Sequence, residues 1–402
     1  MKLAIMIAIF GSIAVVGAVI LRFLLIKAVD RDRDHPLRVR IPIIILLIMV
    51  ALPIIGALVP DGPVCWFFQK WGNISIGFAM YFYLSLLFAS IIAAILILIF
   101  KGRGGSSKLE RNKPTGKVAK ALLYVSLIST IVINSLGMMH ATDVKVTNYQ
   151  LDKEVLGLKE PLKMILIADL HIGVNSGTEV YERMVDRINE QDADLVVIGG
   201  DLVTSSFNAM RDPEKYASIF REIKSKYGVY AVYGNHDVDE PLLGGFTYVK
   251  KEKALRNPGM EPWVRSCGWN LLEDEVTEIP GIKGMVLAGR RDEEKPGDGI
   301  QERETITELL KGRDPEKKVL LLQHEPSDLE ELEADGVALS LGGHTHDGQI
   351  FPGNVYCRLM LDQSYGYKEW GSAKAIVTSG VGFYGPPLRV GTNSEITVID
   401  FI

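Results

Sequence analysis

The chain has 402 residues, of which 48% are hydrophobic. This length is too great for a single domain with one hydrophobic core and predicts two or three domains. Residues 1–140 hold 15 Lys and Arg against 5 Asp and Glu, whereas residues 141–402 hold 29 against 44. An acidic second part repels polyanions, so no nucleic-acid partner is expected for it.

Four apolar stretches in the first part are near the length of about 20 residues that a helix needs to cross a bilayer. The stretches are residues 3–26, 41–59, 76–100 and 121–139. The second and third contain no charged residue, whereas a helix of a soluble protein usually keeps a polar face. We therefore predict an all-α region of four transmembrane helices within residues 1–140.

The loops between these stretches differ in their basic content. Residues 27–40 contain five Lys and Arg and residues 101–120 contain seven, whereas residues 60–72 contain only Lys70. Cytoplasmic loops normally carry the excess of Lys and Arg, so the first and third loops are predicted to be cytoplasmic. Four spans then leave the C-terminal part outside the cytoplasm.

Two alternatives concern the same apolar region. The first stretch could be a cleaved signal peptide, but its apolar part is longer than a signal core of about 7 to 15 residues. The four helices could form a transporter or a sensor, but no acidic residue lies within any stretch. An anchor is the simpler interpretation.

Residues 141–162 are predicted to be a linker and an entry strand, and residues 163–402 an α/β domain. Short apolar runs alternate there with Gly, Pro, Asn and Asp. Five of the 7 histidines of the chain lie in this domain, each in a polar cluster beside an apolar run. Strand ends fix the backbone while the following loop presents side chains, so these clusters are candidate sites for metal ligands and proton donors.

The first two clusters belong to a βαβ pattern. Asp169 and His171 follow the run 164–168, and alternate strand residues share a face, so both are expected to reach one metal ion. Asp201 follows the run 195–198, and parallel strands would bring it beside Asp169. Taken singly, each cluster is also compatible with a chance spacing or a tight turn.

The third cluster follows the run 229–233 and reads Asn235, His236 and Asp237. An amide oxygen suits a hard cation, and the carboxylate of Asp237 could orient the neighbouring imidazole. The alternative is an Asn that caps a helix.

The last two clusters add three imidazoles. His324 follows the run 319–323, and His344 and His346 follow the run 338–341. Three imidazoles at two strand ends, with no cysteine nearby, suit a transition metal with mixed nitrogen and oxygen ligands. A single histidine at such a place could also be structural.

In this order the motifs DLH, GGD, GNHD, H and GHTH resemble those of the calcineurin-like metallophosphoesterases over nearly all of residues 163–402. The Gly-rich tail 378–396 resembles the membrane-associated branch of that family. The resemblance implies a four-layer α/β/β/α sandwich with two metal ions at the strand ends. By this resemblance one ion is held by Asp169, His171, Asp201 and His346, and the other by Asp201, Asn235, His324 and His344.

The resemblance also implies roles for residues near the ligands. His236 would contact the substrate phosphate or protonate the leaving group, with Asp237 as its orienting partner. Arg389 could meet a substrate phosphate through its fork of donors, although an ordinary surface arginine fits equally well. Mn, Fe and Zn all accept such ligands, and two cations can lower the pKa of a water and clamp phosphoryl oxygens.

The predicted function is hydrolysis of a phosphate mono- or diester near the membrane, outside the cytoplasm. A lipid or a cell-envelope precursor is the natural substrate to expect, because the anchor keeps the active site near the bilayer. One alternative is a pyrophosphatase that acts on a UDP-linked lipid sugar. Another is a non-catalytic interaction module, although such relatives usually lose some of the residues that are present here.

Two further features remain. Cys65, Cys267 and Cys357 form no close pair, so neither a disulfide scaffold nor a thiolate zinc site is expected. A disulfide between residues 267 and 357 is the alternative.

The segment 240–265 could form a wall of the active site or pack on the domain, and packing is the simpler expectation.

Overall fold

The computed structural model describes residues 17, 19–22, 25, 37–102 and 116–402. The chain divides into two compact units. One comprises Met1–Gly137 and Leu243–Phe246, and the other comprises Met138–Leu242 and Thr247–Ile402. The finer domain limits at residues 140 and 163 stay predictions.

The first unit contains three long helices among the described residues, α1 (Leu37–Leu58), α2 (Pro63–Gly102) and α3 (Gly116–His140). All three are long and apolar enough to cross a membrane, over Arg40–Leu58, Pro63–Leu96 and Val118–His140. The predicted second, third and fourth spans therefore coincide with helices. The predicted first span falls largely outside the described residues.

The loop predicted at residues 60–72 is shorter in the structure, because α2 begins at Pro63. Proline is favoured at the first position of a helix, where its missing N–H is not needed. The N–H of Trp66 already donates to the carbonyl of Gly62 at 3.0 Å. An apolar and aromatic run then continues the helix into the span.

The second unit is a mixed α/β domain, and of the short β5–β6 pair only Leu242 and Thr247 belong to it. The strands are β1 (Val144–Leu151), β2 (Leu162–Ile167), β3 (Leu195–Gly199), β4 (Val229–Val232), β5 (Leu242–Leu243), β6 (Phe246–Thr247), β7 (Trp269–Leu271), β8 (Glu275–Thr277), β9 (Met285–Gly289), β10 (Lys318–Leu322), β11 (Val337–Gly342), β12 (Gly366–Trp370), β13 (Ala373–Val377) and β14 (Ser394–Phe401). The helices are α4 (Glu179–Asn189), α5 (Pro213–Phe220), α6 (Met260–Ser266), α7 (Ile306–Leu309) and α8 (Gly353–Met360).

Two six-stranded sheets organise this domain. The first has the order β1-β14-β2-β3-β4-β7, and its strands β2, β3, β4 and β7 are parallel. The second has the order β12-β13-β11-β10-β9-β8, and its strands β9, β10, β11 and β13 are parallel. The predicted βαβ unit is confirmed, because β2 and β3 pair in parallel and α4 connects them.

Three hydrophobic cores hold the layers. The first joins α4, α5 and α6 to the first sheet, with Tyr181 and Phe220 among its members. The second contains apolar side chains of both sheets, such as Leu166 and Leu320. The third joins α7 to the second sheet. Apolar residues on both faces of each sheet explain why these strands read as continuous apolar runs.

The structure shows Cys65, Cys267 and Cys357 as free thiols. Both expectations for the segment 240–265 apply to parts of it. Trp263 is buried among the rings of Phe207, Phe220 and Trp269, whereas Thr247 lines the cavity of the candidate site.

Candidate metal centre

Five predicted ligands follow the carboxyl ends of parallel strands. Each lies two or three residues after the last residue of β2, β3, β4, β10 or β11. They are Asp169, Asp201, Asn235, His324 and His344. Ligands of α/β proteins bind outside the carboxyl ends of the strands, so the topology itself gathers these side chains.

Several of these residues have a left-handed backbone, which L-residues rarely adopt. The φ angles are 56° at Asp169, 49° at His171, 54° at Asp201, 73° at His344 and 52° at His346. Such strain persists only where the surrounding structure imposes it, and it clusters at functional sites. Asp169 and His171 therefore converge through tight turns beyond β2, and not through the strand alternation that the sequence analysis assumed.

Close packing leaves room only for glycine beside these turns. A Cβ atom at Gly380, whose φ is 76°, would lie 2.5 Å from the Cβ of Asp169. The Gly-rich segment after β13 thus lies against the first ligand.

A first group of potential metal ligands consists of Asp169, His171 and His346. Their ligand atoms all lie within 4.8 Å of one another, and all three residues are buried. The Nε2 atoms of His171 and His346 are 3.0 Å apart, and the Nε2 of His346 lies 3.5 Å from the Oδ1 of Asp169. Burial lowers the pKa of His171 to about 3, so its imidazole is neutral at neutral pH, as a metal ligand must be.

A second group consists of Asp169, Asp201 and His324, again within 4.8 Å of one another. The Oδ2 of Asp201 lies 3.1 Å from the Nε2 of His324 and 3.4 Å from the Nε2 of His171. One carboxylate oxygen therefore faces both groups, as a bridging ligand would. Burial would raise the pKa of Asp201, but His324 and His236 outweigh it and hold this pKa well below its usual value.

Hydrogen bonds to the other ring nitrogen orient two of the imidazoles. The Nδ1 of His324 lies 2.7 Å from the carbonyl oxygen of Gly199, and the Nδ1 of His171 lies 2.8 Å from the Oγ1 of Thr204. A carbonyl oxygen only accepts, so the Nδ1 of His324 carries a proton and its Nε2 faces the ligand group. Burial would lower the pKa of His324, but Asp201 and Asp169 outweigh it and raise this pKa, so a cation bound at Nε2 would replace a proton there. This arrangement fits a metal ion.

Asn235 and His344 lie beside the second group. The Oδ1 of Asn235 is 3.1 Å from the Nε2 of His324 and 3.3 Å from the Nδ1 of His344. The Nδ2 of Asn235 donates to the Oε2 of Glu294 at 2.9 Å, which turns the amide oxygen toward the ligands. Glu294 was not found from the sequence, because it lies in a charged loop with no pattern of its own.

His236 is not oriented by Asp237, contrary to the sequence prediction. Its Nδ1 lies 3.0 Å from the Oε1 of Glu240 and 3.1 Å from the Oγ1 of Thr247. The ammonium group of Lys295 in turn contacts both oxygens of Glu240, at 3.2 and 3.1 Å. Burial would lower the pKa of His236, but Asp201 and Glu240 outweigh it and raise this pKa.

Asp237 instead connects two ligand loops. Its Oδ1 accepts from the N–H groups of Leu202 and Val203 at 2.8 and 3.0 Å, and its Oδ2 accepts from the N–H of Gly234 at 2.8 Å. Its side chain is completely buried. The residue therefore holds the loop of Asp201 against the loop of Asn235.

Arg389 was predicted to contact substrate, and the structure places it elsewhere. The residue is completely buried, and its guanidinium donates to the carbonyl oxygens of Gly380, Gly382 and His346. These donors are therefore used within the protein. Arg389 supports the turn of His346 from behind and does not line the cavity described next.

A cavity of about 300 Å³ opens beside the ligand groups. Its walls are His171, Asp201, Asn235, His236, Thr247, Glu294, Lys295, His344, His346 and Tyr384. The ring of Tyr384 stacks on that of His236, with centroids 4.4 Å apart. Thr247, Lys295 and Tyr384 carried no motif, because loops far apart in the chain bring them to the site.

The family comparison agrees with this geometry. Residues 162–348 match the family of calcineurin-like phosphoesterases. The chain therefore contains a calcineurin-like metallophosphoesterase domain, and the predicted family is confirmed.

Relatives of two kinds are similar to this chain. An "Uncharacterized metallophosphoesterase" of Helicobacter pylori (strain J99 / ATCC 700824) is 28% identical over 326 residues, which cover 78% of this chain and 79% of that protein. A "Transmembrane protein with metallophosphoesterase domain" of Danio rerio is 28% identical over 368 residues, which cover 85% of this chain and 78% of that protein. The similarity thus extends beyond the matched domain.

Among solved structures, that of Pseudomonas putida nuclease MPE covers 58% of this chain and 82% of its own, with 17% identity and a TM-score of 0.27. A score this low supports no conclusion about this chain.

Proposed function

We propose that this chain is a metal-dependent hydrolase of phosphate esters whose active site is the cavity beside the two ligand groups. The observation that carries the proposal is the convergence of two overlapping groups, Asp169, His171 and His346 with Asp169, Asp201 and His324. Burial and the neighbouring charge of Asp201 raise the pKa of Asp169 to about 7, because two carboxylates buried this close together are costly unless a cation compensates them.

We propose two divalent ions with Asp201 between them, because there are two groups and the Oδ2 of Asp201 faces His171 of one and His324 of the other. Asp169, His171, Asp201 and His346 would hold the first ion, and Asp201, Asn235, His324 and His344 the second. Mn, Fe and Zn all accept this ligand set. Bound there, such ions supply Lewis acidity, which activates water for attack and neutralises phosphoryl oxygens.

The residues of the chain itself supply orientation and a proton. The imidazole of His236 belongs to neither ligand group and faces the cavity, with its Nδ1 held by Glu240 and Thr247. A carboxylate on Nδ1 fixes the ring and stabilises its protonated form, which leaves Nε2 able to donate to a leaving-group oxygen. Glu240 thus takes the role that the sequence analysis gave to Asp237.

The rim of the cavity carries charges of both signs. Lys295 contacts Glu240 and lines the cavity, and Glu294 lines it on the side of Asn235. A cation near the phosphate favours an anionic substrate, and a carboxylate at the mouth disfavours a long polyanion. A small or locally presented phosphate ester fits this rim.

We also infer that the domain has the four-layer order helix, sheet, sheet, helix, because separate cores join each neighbouring pair of layers. For the membrane region we infer a multi-pass anchor with the domain outside the cytoplasm. The basic residues of segments 27–40 and 101–120 support this orientation. Both segments were predicted as loops, but helices occupy their described ends, because α1 begins at Leu37, α2 ends at Gly102 and α3 begins at Gly116.

Hydrolysis of p-nitrophenyl phosphate and bis-p-nitrophenyl phosphate by the purified full chain tests the proposal. We expect metal-loaded protein to cleave at least one of them, and His236→Asn to lower kcat by about 100-fold while metal content stays the same. Full activity in His236→Asn would remove this residue from the proposed chemistry.

A further inference from the structure

Helix α8 carries a run of exposed apolar side chains. The exposed fractions are 45% for Val355, 64% for Tyr356, 77% for Leu359 and 65% for Met360, and Leu361 directly after the helix is exposed at 45%. Residues three and four apart lie on one side of a helix, so 355, 356, 359 and 360 form one stripe. We call these five residues the α8 apolar face.

The two polar side chains of the same helix, Asn354 and Arg358, lie off this stripe, although the side chain of Arg358 is itself 56% exposed. Asn354 is buried and its Nδ2 donates to the carbonyl of Gly391 at 3.3 Å. Arg358 reaches back to Asp347 with two hydrogen bonds, of 2.9 and 2.5 Å. A surface helix of a soluble protein has the opposite arrangement, with its apolar stripe on the core. An exposed apolar stripe on such a helix is therefore a candidate contact surface.

The helix is attached to the candidate metal centre. Asp347, which binds Arg358, is the residue directly after the ligand His346. The N–H of Gly353, at the start of α8, donates to the carbonyl of Ile350 at 2.6 Å in the connecting turn. The α8 apolar face therefore lies on a helix that is close to the loop of a predicted ligand.

A lipid surface is the occupant that the rest of the chain supports. Three helices among the described residues are able to cross a membrane, and the last of them ends at His140, whereas β1 begins at Val144. So short a connection keeps the start of β1 within about 14 Å of the end of this helix.

The composition of the patch agrees with an interface. Tyr356 has an amphipathic ring of the kind found at the membrane–water boundary, and Leu359 and Met360 are its most exposed aliphatic neighbours. Lys368, whose ammonium donates to the carbonyl of Asp362, places a basic group next to Leu361. Apolar residues flanked by basic ones are typical of segments that lie in the headgroup region.

We propose that the α8 apolar face lies in the headgroup region of the bilayer and that the neighbouring metal centre acts on phosphate esters of membrane lipids. The second part of this proposal rests on the proposed function. The first part concerns a contact between protein and lipid, and it is testable without catalysis.

The contact is tested with the full chain in vesicles of phosphatidylethanolamine and phosphatidylglycerol. A nitroxide label is attached to Leu359→Cys in a Cys357→Ser background, and a label at Lys215→Cys on α5 is the control. We expect the label at 359 to collide with oxygen and to be shielded from a water-soluble nickel chelate, whereas the label at 215 collides freely with the chelate.

Two results would overturn the contact. Equal collision of both labels with the chelate would show that the face is in water. Dipolar broadening between labels at 359 of two chains would show that a second copy covers the face.

The substrate class is tested with Leu359→Ser/Met360→Ser, and Leu255→Ser, which replaces another exposed leucine, is the matched control. The lipid probes are phosphatidic acid and phosphatidylglycerol in vesicles, and the soluble probes are the two p-nitrophenyl esters. We expect the double variant to hydrolyse a lipid probe about tenfold more slowly than the wild-type chain and to hydrolyse the soluble esters at the wild-type rate. The control variant is expected to hydrolyse all probes at the wild-type rate.

The outcomes separate the two proposals. No hydrolysis of any probe by the wild-type chain contradicts the proposed function but leaves the labelling result intact. Hydrolysis of a soluble ester without any lipid hydrolysis contradicts the lipid substrate. An equal loss on lipid and soluble probes in the double variant also contradicts it, because the damage would then be structural.

Discussion

His236 is held by a carboxylate, and that carboxylate is held by an ammonium group. The contacts run from the Nδ1 of His236 to Glu240 at 3.0 Å and from Glu240 to the Nζ of Lys295 at 3.1 Å. Glu240 and Lys295 are both buried, so their charges are screened little by water. The chain of contacts fixes the position of the imidazole, and Asp201 and Glu240 outweigh burial and raise its pKa.

We expect Glu240→Gln to lower kcat by about tenfold or more without changing metal content. The glutamine keeps an oxygen beside Nδ1 but removes the charge that stabilises the imidazolium. The loss is expected to be larger for phenyl phosphate than for p-nitrophenyl phosphate, because the poorer leaving group needs the proton more.

The double variant Glu240→Gln/Lys295→Met is the control for an unpaired buried ammonium group. If it recovers full activity, the charge of Glu240 serves only to neutralise Lys295. Equal losses for both phenyl esters would likewise contradict proton donation by His236.

Asp237 is expected to matter for stability more than for chemistry. Asp237→Ala leaves three buried N–H groups without acceptors, and each costs about 1 to 3 kcal/mol. We expect the variant chain to unfold at a lower temperature than the wild-type chain. The protein that remains folded is expected to be active. An unchanged unfolding temperature together with lost activity would favour the catalytic role predicted from the sequence.

At the scale of elements, the strands that carry the site were predictable from the sequence. The run 195–198 became β3 (Leu195–Gly199), and the run 338–341 became β11 (Val337–Gly342). Strands buried on both faces are continuous apolar runs, and the polar residue after each run marks the carboxyl end of a strand. The positions of Asp201 and His344 followed from this alone.

The partners of the site were not predictable in the same way. Glu240, Glu294 and Lys295 lie in loops, and their contacts depend on how those loops return to the site rather than on any local period. The burial of Arg389 was likewise not predictable from the sequence, because it depends on how the Gly-rich segment folds around this residue. Motifs locate ligands, whereas the residues that orient ligands require the tertiary structure.

Arg389→Lys tests whether the Gly-rich segment supports the metal centre. Lysine cannot donate to the carbonyls of Gly380, Gly382 and His346 at once, because it lacks the guanidinium fork. We expect metal affinity to fall by about tenfold, as for other residues that orient ligands, and titration with a competing chelator measures it. Unchanged affinity in a folded variant would separate Arg389 from the metal centre.

At the scale of the molecule, charge and hydropathy divide the chain at the same place. The first 140 residues have a basic excess of 15 to 5, and the remainder is acidic. The basic excess supports the proposed topology, in which the basic segments face the cytoplasm and the domain faces away from it.

The orientation is testable in intact cells or oriented vesicles. In a Cys357→Ser background, we expect a membrane-impermeant maleimide to label Glu330→Cys from outside, and to label Lys108→Cys only after permeabilisation. Glu330 is exposed on the α/β domain, and Lys108 lies in the basic loop 101–120. The reverse pattern would place the domain in the cytoplasm.

The most direct measurement is phosphate-ester hydrolysis by the full chain after metal removal and after restoration of Mn, Zn or Fe, beside Asp201→Asn. We expect activity to vanish on chelation and return with metal, with up to two ions bound per chain, and Asp201→Asn to bind less metal and stay inactive. Asp201 faces both ligand groups, so its loss disrupts both. Hydrolysis that persists in fully metal-free protein, or a folded metal-loaded chain that cleaves no phosphate ester, would contradict a metal-dependent phosphoesterase.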